Sequence, residues 1–65
     1  MNNLEEIMKR KHITPIELSK TTGISVNNIR RIMKDKNVIP HNVTVVKLSE
    51  ALGYSVAQIR GEKEI

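Results

Sequence analysis

A very short link separates two helix-forming segments in the middle of the chain, and it restricts the possible folds more than any other feature. The first segment opens with "TPIE": Thr14 can cap a helix, Pro15 suits the first helical turn, and Glu17 completes a capping box. That helix should end at Gly23, since glycine readily takes the left-handed conformation that follows a helix end. Ser25 can cap the next helix almost at once. Two helices joined so closely must cross at a steep angle.

The rest of the chain also carries helix signals, and it carries no strand signal. Apolar and polar residues do not alternate over any sustained stretch, and no Asn-Gly or Asp-Gly hairpin turn occurs. A first helix should begin with Asn3 and Glu6 as a capping pair. It should place Leu4, Ile7 and Met8 on one apolar face. We therefore predict an all-α fold.

Capping residues and helix breakers predict three more helices after the link, which makes five short helices. Pro40 disfavours helix at the residue before it and so separates the third helix from the fourth. A chain of this length should form one domain, residues 1–65, with its last four residues frayed. The expected spans are Ser25 to about Lys34, His41 or Asn42 to Leu52, and Ser55 to about Gly61.

The composition argues against several classes of protein. The 65 residues include no cysteine, so neither a disulfide framework nor a thiolate zinc site is expected. His12 and His41 are too isolated from other good ligands to suggest a metal site, and we expect no cofactor. The chain has no nucleophile–base pair, no phosphate-cradling loop and no room for a substrate pocket, so we do not expect an enzyme.

The charge of the chain gives a weak indication of its partner. The formal charge is +4 and the isoelectric point about 9.8, which favours an acidic partner such as nucleic acid. A solvated lysine-rich surface is the alternative, and charge alone does not choose between them. No apolar run approaches the ~20 residues that span a bilayer, and the charged N-terminus is not a signal peptide. The expected location is therefore the cytoplasm.

Two nearly consecutive stretches carry a resemblance to a known family. They are "ITPIELSKTTGISVNNIRRIM" and "PHNVTVVKLSEALGYSVAQI". With the first helix, they resemble the phage-repressor-like, Cro-type (xenobiotic-response-element) helix-turn-helix family from Leu4 to Ile59. The resemblance implies a lambda-repressor-like DNA-binding domain of five helices, with its helix-turn-helix at about residues 14–34. The shared features are Glu17, Leu18, Ser19, the Gly23 turn, the buried Ile29, and Pro40 followed by "KLSEALG" and a short capped helix.

The resemblance also implies a function. Members of this family are cytoplasmic transcriptional regulators of bacteria or phages, above all repressors, and they bind double-stranded DNA operators, usually as dimers on palindromic sites. A protein-binding module of the same fold, such as an antirepressor or an antitoxin-like partner, is the alternative. Such a module should present an apolar surface on its third helix. This chain presents Asn27, Asn28, Arg30 and Arg31 there instead.

The start of the third helix holds the residues expected to read DNA bases. By position in the motif, Val26, Asn27 and Arg31 match the family's base-reading residues. Asparagine pairs with adenine and arginine with guanine through two hydrogen bonds each, and an aliphatic side chain meets a thymine methyl group. Alternatively, the asparagines only serve the helix cap and the arginines are solvated. The expected base-reading set is Val26, Asn27, Asn28 and Arg31.

A second group of residues is expected to contact the DNA backbone. Lysine supplies positive charge, and the N–H groups at a helix start bind anions. The alternative is that the loop residues in this group are only solvated. The expected set is Ser25, Arg30, Lys34, Lys36, Asn37, Asn42 and Thr44.

The chain departs from the family pattern at three places. Pro15 stands where the family usually has a glutamine that touches phosphate. Asp35 stands where a glycine is common, so Asp35 or Asn37 must make the turn after the third helix. Met8 and Met33 stand where an arginine–glutamate pair is common. Because both have changed together, we predict that the two methionines touch in the core.

Apolar residues that remain after the core is filled indicate how two copies could associate. They lie late in the chain, so we expect a homodimer through the C-terminal end, formed by the last helix and the loop before the fourth helix. The expected contributors are one of Val43 and Val46, part of Val56 and Ile59, and Ile65.

Overall fold

Five α-helices follow one another with no strand between them, which confirms the predicted all-α class. The computed structural model describes all 65 residues. None of the helices is both long and apolar enough to cross a bilayer. The helices are α1 (Leu4–Lys11), α2 (Pro15–Thr22), α3 (Val26–Lys34), α4 (Asn42–Leu52) and α5 (Val56–Arg60).

Three of the predicted helix caps form as the sequence indicates. In α2 the Thr14 hydroxyl accepts a hydrogen bond from Glu17 N–H at 3.2 Å, and Glu17 Oε1 accepts one from Thr14 N–H at 3.0 Å. Hydrogen bonds from Thr14, first from its N–H and then from its hydroxyl, stabilise the carboxylate and lower the pKa of Glu17. Ser25 and Ser55 cap α3 and α5 through the N–H groups three residues further on.

The predicted cap of α1 is wrong. The Asn3 side chain makes no capping bond, and its Nδ2 instead donates to the Gln58 carbonyl at 2.9 Å. The side chain that caps α1 belongs to Asn2, whose Oδ1 accepts a hydrogen bond from Leu4 N–H at 3.1 Å. Either of two adjacent asparagines can take such a role, so only the packing around Asn2 decides between them.

One hydrophobic core lies between the helices, with α1 packed against α3, α4 and α5 and α2 packed against α3 and α4. The expected inward residues of α1 are buried, and so are Ile29 and Ile32 of α3. Met33 is half-buried and packs against the edge of the core, whereas Met8 is inside it. Direct contact between these two methionines stays a prediction. The core residues are Leu4, Ile7, Met8, Leu18, Ile24, Ile29, Ile32, Val45, Leu48, Leu52 and Ile59.

The loop between α3 and α4 turns at Asp35, one of the two residues expected to do so. The Asp35 carboxylate accepts a hydrogen bond from Asn37 N–H at 3.0 Å, and its carbonyl accepts one from Val38 N–H at 3.0 Å. The turn needs no left-handed residue, because the φ of Asp35 is −107° and His12 is the only non-glycine residue with a positive φ. The aspartate side chain therefore replaces the conformational freedom of a glycine.

The expectation that the last four residues fray is wrong. Gly61 takes a φ of 84° and turns the chain back, so that the N–H groups of Glu62 and Lys63 reach the Ala57 carbonyl at 2.8 and 3.3 Å. Ile65 then packs, half-buried, against the edge of the core. Hydrogen bonds to α5 and the packing of Ile65 together hold this segment against the rest of the fold.

Candidate nucleic-acid interface

The turn between α2 and α3 is stiffened by hydrogen bonds within it. Gly23 is left-handed, with a φ of 78°, and its N–H donates to the Ser19 carbonyl at 2.8 Å. The Ser19 hydroxyl reaches across the turn to the carbonyl of Ile24, whose side chain is buried. Thr22 Oγ1 accepts a hydrogen bond from Ile24 N–H at 3.2 Å. These bonds fix the direction of α3 relative to α2.

The four predicted base-reading residues lie together on the first two turns of α3. Asn27 and Arg31 are exposed, while Val26 and Asn28 are half-buried. Ile29, between them in sequence, faces the core and is fully buried. The structure therefore brings the whole predicted reading set to the N-terminal part of one amphipathic helix.

Two of these residues bond to each other. Arg31 Nη2 donates a hydrogen bond to Asn28 Oδ1 at 3.1 Å, an interaction expected for side chains three positions apart on a helix. The N–H of Asn28 meanwhile donates to the hydroxyl of Ser25, the cap of α3. Asn28 thus limits the directions in which the Arg31 guanidinium can point.

The residues predicted to contact the DNA backbone fall into two groups. One group lies along α3 and in the loop after it, and the other begins α4. All of them are exposed except Thr44, which is half-buried. The first group is Ser25, Arg30, Lys34, Lys36 and Asn37, and the second is Asn42 and Thr44.

Besides Ser25, whose hydroxyl caps α3, two of the predicted backbone-contacting residues have a side-chain partner inside the protein. Lys36 Nζ lies 3.8 Å from Glu5 Oε1 in α1. Asn42 Oδ1 accepts a hydrogen bond from the guanidinium of Arg60, at the end of α5. Sequence reasoning missed Arg60, because it lies 18 residues from Asn42 and no local pattern connects them. Arg60 adds a positive charge at the start of α4.

The surface away from α3 offers no comparable constellation. Two shallow depressions occur, one beside Asn3 and residues 61–65, the other between the end of α2 and the second half of α4. Neither includes a residue of α3. No group of three or more His, Asp or Glu side chains lies close enough together to hold a metal ion.

Comparison with known proteins identifies the family. The family model of the Cro/C1-type helix-turn-helix DNA-binding domain matches residues 3–61, which is nearly the whole chain. No curated protein and no solved structure matches the chain. The family match confirms the resemblance seen in the sequence, and it agrees with the fold and with the α2–α3 geometry. The chain belongs to the Cro/C1-type helix-turn-helix DNA-binding domains, and its function is DNA binding in the regulation of transcription.

Proposed function

We propose that this protein is a sequence-specific repressor of bacterial or phage genes, which acts in the cytoplasm by placing α3 in the major groove of a double-stranded operator. The observation that carries the proposal is the outer face of α3, which is polar and basic in a chain that belongs to a DNA-binding family. When bound to its operator, the protein would exclude the transcription machinery from DNA sites that overlap the operator. An antirepressor or antitoxin-like module of the same fold would instead need an apolar α3.

In this proposal the start of α3 reads bases. Asn27, exposed on the first turn, meets the N6 and N7 edge of an adenine, and Arg31 meets the O6 and N7 edge of a guanine. Val26 contacts a thymine methyl group. Asn28 completes the reading set, and its bond to Arg31 holds the guanidinium ready for two parallel hydrogen bonds.

The DNA backbone is held on both sides of the reading residues. Lysine and arginine side chains neutralise phosphates, and the free N–H groups at the start of α4 bind an anion. Arg60 joins this second site because its guanidinium lies against Asn42. The proposed backbone contacts are Ser25, Arg30, Lys34, Lys36, Asn37, Asn42 and Thr44, with Arg60 in addition.

The size of the molecule supports binding as a pair of identical subunits. Its longest dimension is 26 Å between Cα atoms, shorter than the ~34 Å that separates successive major grooves on one face of DNA. One copy therefore reads one groove, and a palindromic operator would engage two copies of the chain.

The surface expected to join the two copies, formed by the last helix and the loop before the fourth helix, needs correction at the last helix, where Val56 is half-buried against the core. Ile59 cannot contribute, because it is fully buried in the core, and Ile65 is half-buried against it. Val43 and Val46 are both exposed, by 68% and 45%, and Ile39 in the preceding loop is 51% exposed. We propose that Ile39, Val43 and Val46, hereafter the apolar patch, form the centre of the homodimer interface.

Selection of bound sequences from random double-stranded DNA tests the proposed function. We expect one palindromic consensus, for which the logarithm of the affinity falls linearly with the logarithm of salt concentration. A promoter that carries this consensus should then be transcribed less in vitro when the protein is added. If no sequence is enriched, the proposal is contradicted and a protein partner is favoured. The same conclusion follows if the Asn27→Ala, Arg31→Ala double variant enriches the same sequence as the wild type.

A further inference from the structure

Asn2 is the one buried polar side chain of the molecule, only 2% exposed, and it lies outside every helix. It also lies just outside residues 3–61, which the family model matches. Neither the helix signals of the sequence nor the family match explains why this chain buries an amide there. Burial of an amide is costly unless its hydrogen bonds are made inside the protein.

Both ends of the Asn2 amide are hydrogen-bonded. Oδ1 accepts from Leu4 N–H at 3.1 Å, and Nδ2 donates to the carbonyls of Ile32 at 3.0 Å and Val38 at 2.8 Å. A third, longer bond of 3.3 Å joins Nδ2 to the Asp35 carbonyl. Because only the NH₂ end can donate to carbonyls, these partners also fix the orientation of the amide.

The acceptors all belong to the end of α3 and the loop after it. The Ile32 carbonyl is one of the last four of α3, which have no partner within the helix. The backbone N–H of Asn2 adds a further bond, to the Lys36 carbonyl at 2.7 Å. Four carbonyls between residues 32 and 38 therefore converge on Asn2.

Asn2 is itself held firmly from the opposite side. The N–H of the next residue, Asn3, donates to the Ile59 carbonyl of α5 at 3.0 Å. The backbone of Met1 lies so close to Gly61 that a Cβ at position 61 would collide with the Met1 carbonyl. The first three residues thus connect the C-terminal turn to the loop between α3 and α4.

We propose that Asn2 is a positioning residue for DNA binding. It holds the segment that carries Lys34, Lys36 and Asn37 in one place, so that these side chains meet phosphates without an entropic cost for ordering the loop. The inference rests on the proposed function, because it assumes that these three residues contact the DNA backbone. Asn2 itself touches no DNA, so its removal should weaken binding to all sequences alike and leave the base preference unchanged.

The experiment compares Asn2→Ala with Asn3→Ala, a neighbouring control. Asn3→Ala removes a hydrogen bond to α5 but none to the loop. Asn2→Ser, which retains one hydroxyl donor, serves as a milder variant in case Asn2→Ala does not fold. Binding to the selected operator is measured over a range of salt concentrations, at a temperature where circular dichroism shows each variant folded. Hydrogen exchange of the Val38 amide, which bonds to the Asp35 carbonyl, reports on the loop without DNA.

We expect Asn2→Ala to lower affinity by tenfold or more. It should also reduce the salt slope by about one to two units, roughly one unit for each phosphate that the variant no longer neutralises. The affinity and the salt slope of Asn2→Ser should lie between those of Asn2→Ala and the wild type. Exchange at Val38 should accelerate at least tenfold in Asn2→Ala, while Asn3→Ala keeps the wild-type slope and the wild-type exchange rate.

Three results would overturn the inference, and they differ in what else they reject. If the wild-type protein binds DNA but the folded Asn2 variants keep its salt slope, the inference is wrong and the proposed function stands. If the wild-type protein binds no double-stranded DNA, both are wrong. A reduction of the slope in Asn3→Ala equal to that in Asn2→Ala would also overturn it, because the effect would then follow general destabilisation.

Discussion

The cap of α3 is formed by a residue outside the set that we propose to read bases. The hydroxyl of Ser25 holds the helix end, so the amides of Asn27 and Asn28 are not needed for that purpose. The Asn28 amide oxygen accepts instead from Arg31. At the scale of single residues, the structure therefore favours a role for both asparagines outside the cap, in line with the proposed base reading.

Substitution of a proposed base-reading residue should change DNA binding differently from substitution of a proposed backbone-contacting residue. Asn27→Ala and Arg31→Ala should each cost about 1–3 kcal/mol on the preferred operator and relax the preference at one base pair. Lys34→Ala should weaken binding to every sequence and reduce the salt slope by about one unit. Titration of the consensus and its single-base variants, at several salt concentrations, separates the two effects. Arg10→Ala, which removes an exposed charge at the end of α1, is the control and should change neither quantity.

The ion pair between Glu5 and Lys36 should restrain DNA binding. The carboxylate, 3.8 Å from the ammonium group, competes with phosphate for the same charge. Both side chains are partly exposed, so the pair is worth at most about 1 kcal/mol. Glu5→Gln should therefore raise affinity several-fold at low salt. Glu6→Gln makes the same change of net charge at an exposed neighbour and is the control. An equal gain in DNA affinity from Glu6→Gln would show that the effect comes from net charge and not from the ion pair.

Two methionines, Met8 of α1 and Met33 of α3, stand at the positions where the family resemblance implies a charged pair. Met8 lies inside the core and Met33 at its edge. A single charge placed there would be left without a partner, and because Met33 is half-buried this costs less than the about 3–5 kcal/mol of a fully buried site. We expect Met33→Glu to lower the melting temperature sharply and the added Met8→Arg to restore part of the stability. Thermal unfolding of the single and double variants measures this, and a double variant no more stable than Met33→Glu would show that the residues do not pair.

Local signals allowed the helices to be predicted, because a cap and its partner lie only a few residues apart. Thr14 and Glu17 are such a pair, and Gly23 marks a helix end by its own backbone freedom. Asn2 was missed because its acceptors lie 30 or more residues away, so nothing near it in sequence distinguishes it from Asn3. The burial of Ile59 likewise depends on contacts between distant segments, and the return of the C-terminal residues combines the local turn at Gly61 with the packing of Ile65 on the core. That the four residues proposed to read bases lie together could be predicted from the sequence, because they belong to one helix.

At the scale of the whole molecule, charge and apolar surface are in different places. The α3 face and the loop after it carry exposed lysine and arginine, whereas the apolar patch lies on the loop before α4 and on the first half of that helix. Val43 and Val46, three positions apart, share one side of α4, while Val45 is buried on the other. In this proposal α3 binds DNA and the apolar patch joins the copies, and the two surfaces meet at the start of α4, where Val43 lies between Asn42 and Thr44 in sequence.

Substitution of residues in the apolar patch should remove the association between copies and leave DNA binding by α3. We expect the wild-type protein to bind its consensus as two copies, with a sigmoidal titration, and sedimentation on DNA to show a two-to-one complex. Val43→Ser combined with Val46→Ser should leave the fold intact, since both side chains are exposed, but should abolish the cooperativity and leave single copies bound to half-sites. Ile16→Ser, which removes an apolar side chain of similar exposure from α2, is the matched control and should remain cooperative. A wild-type protein that is monomeric both free and on its best DNA site would end the dimer proposal, while DNA binding by α3 would stand.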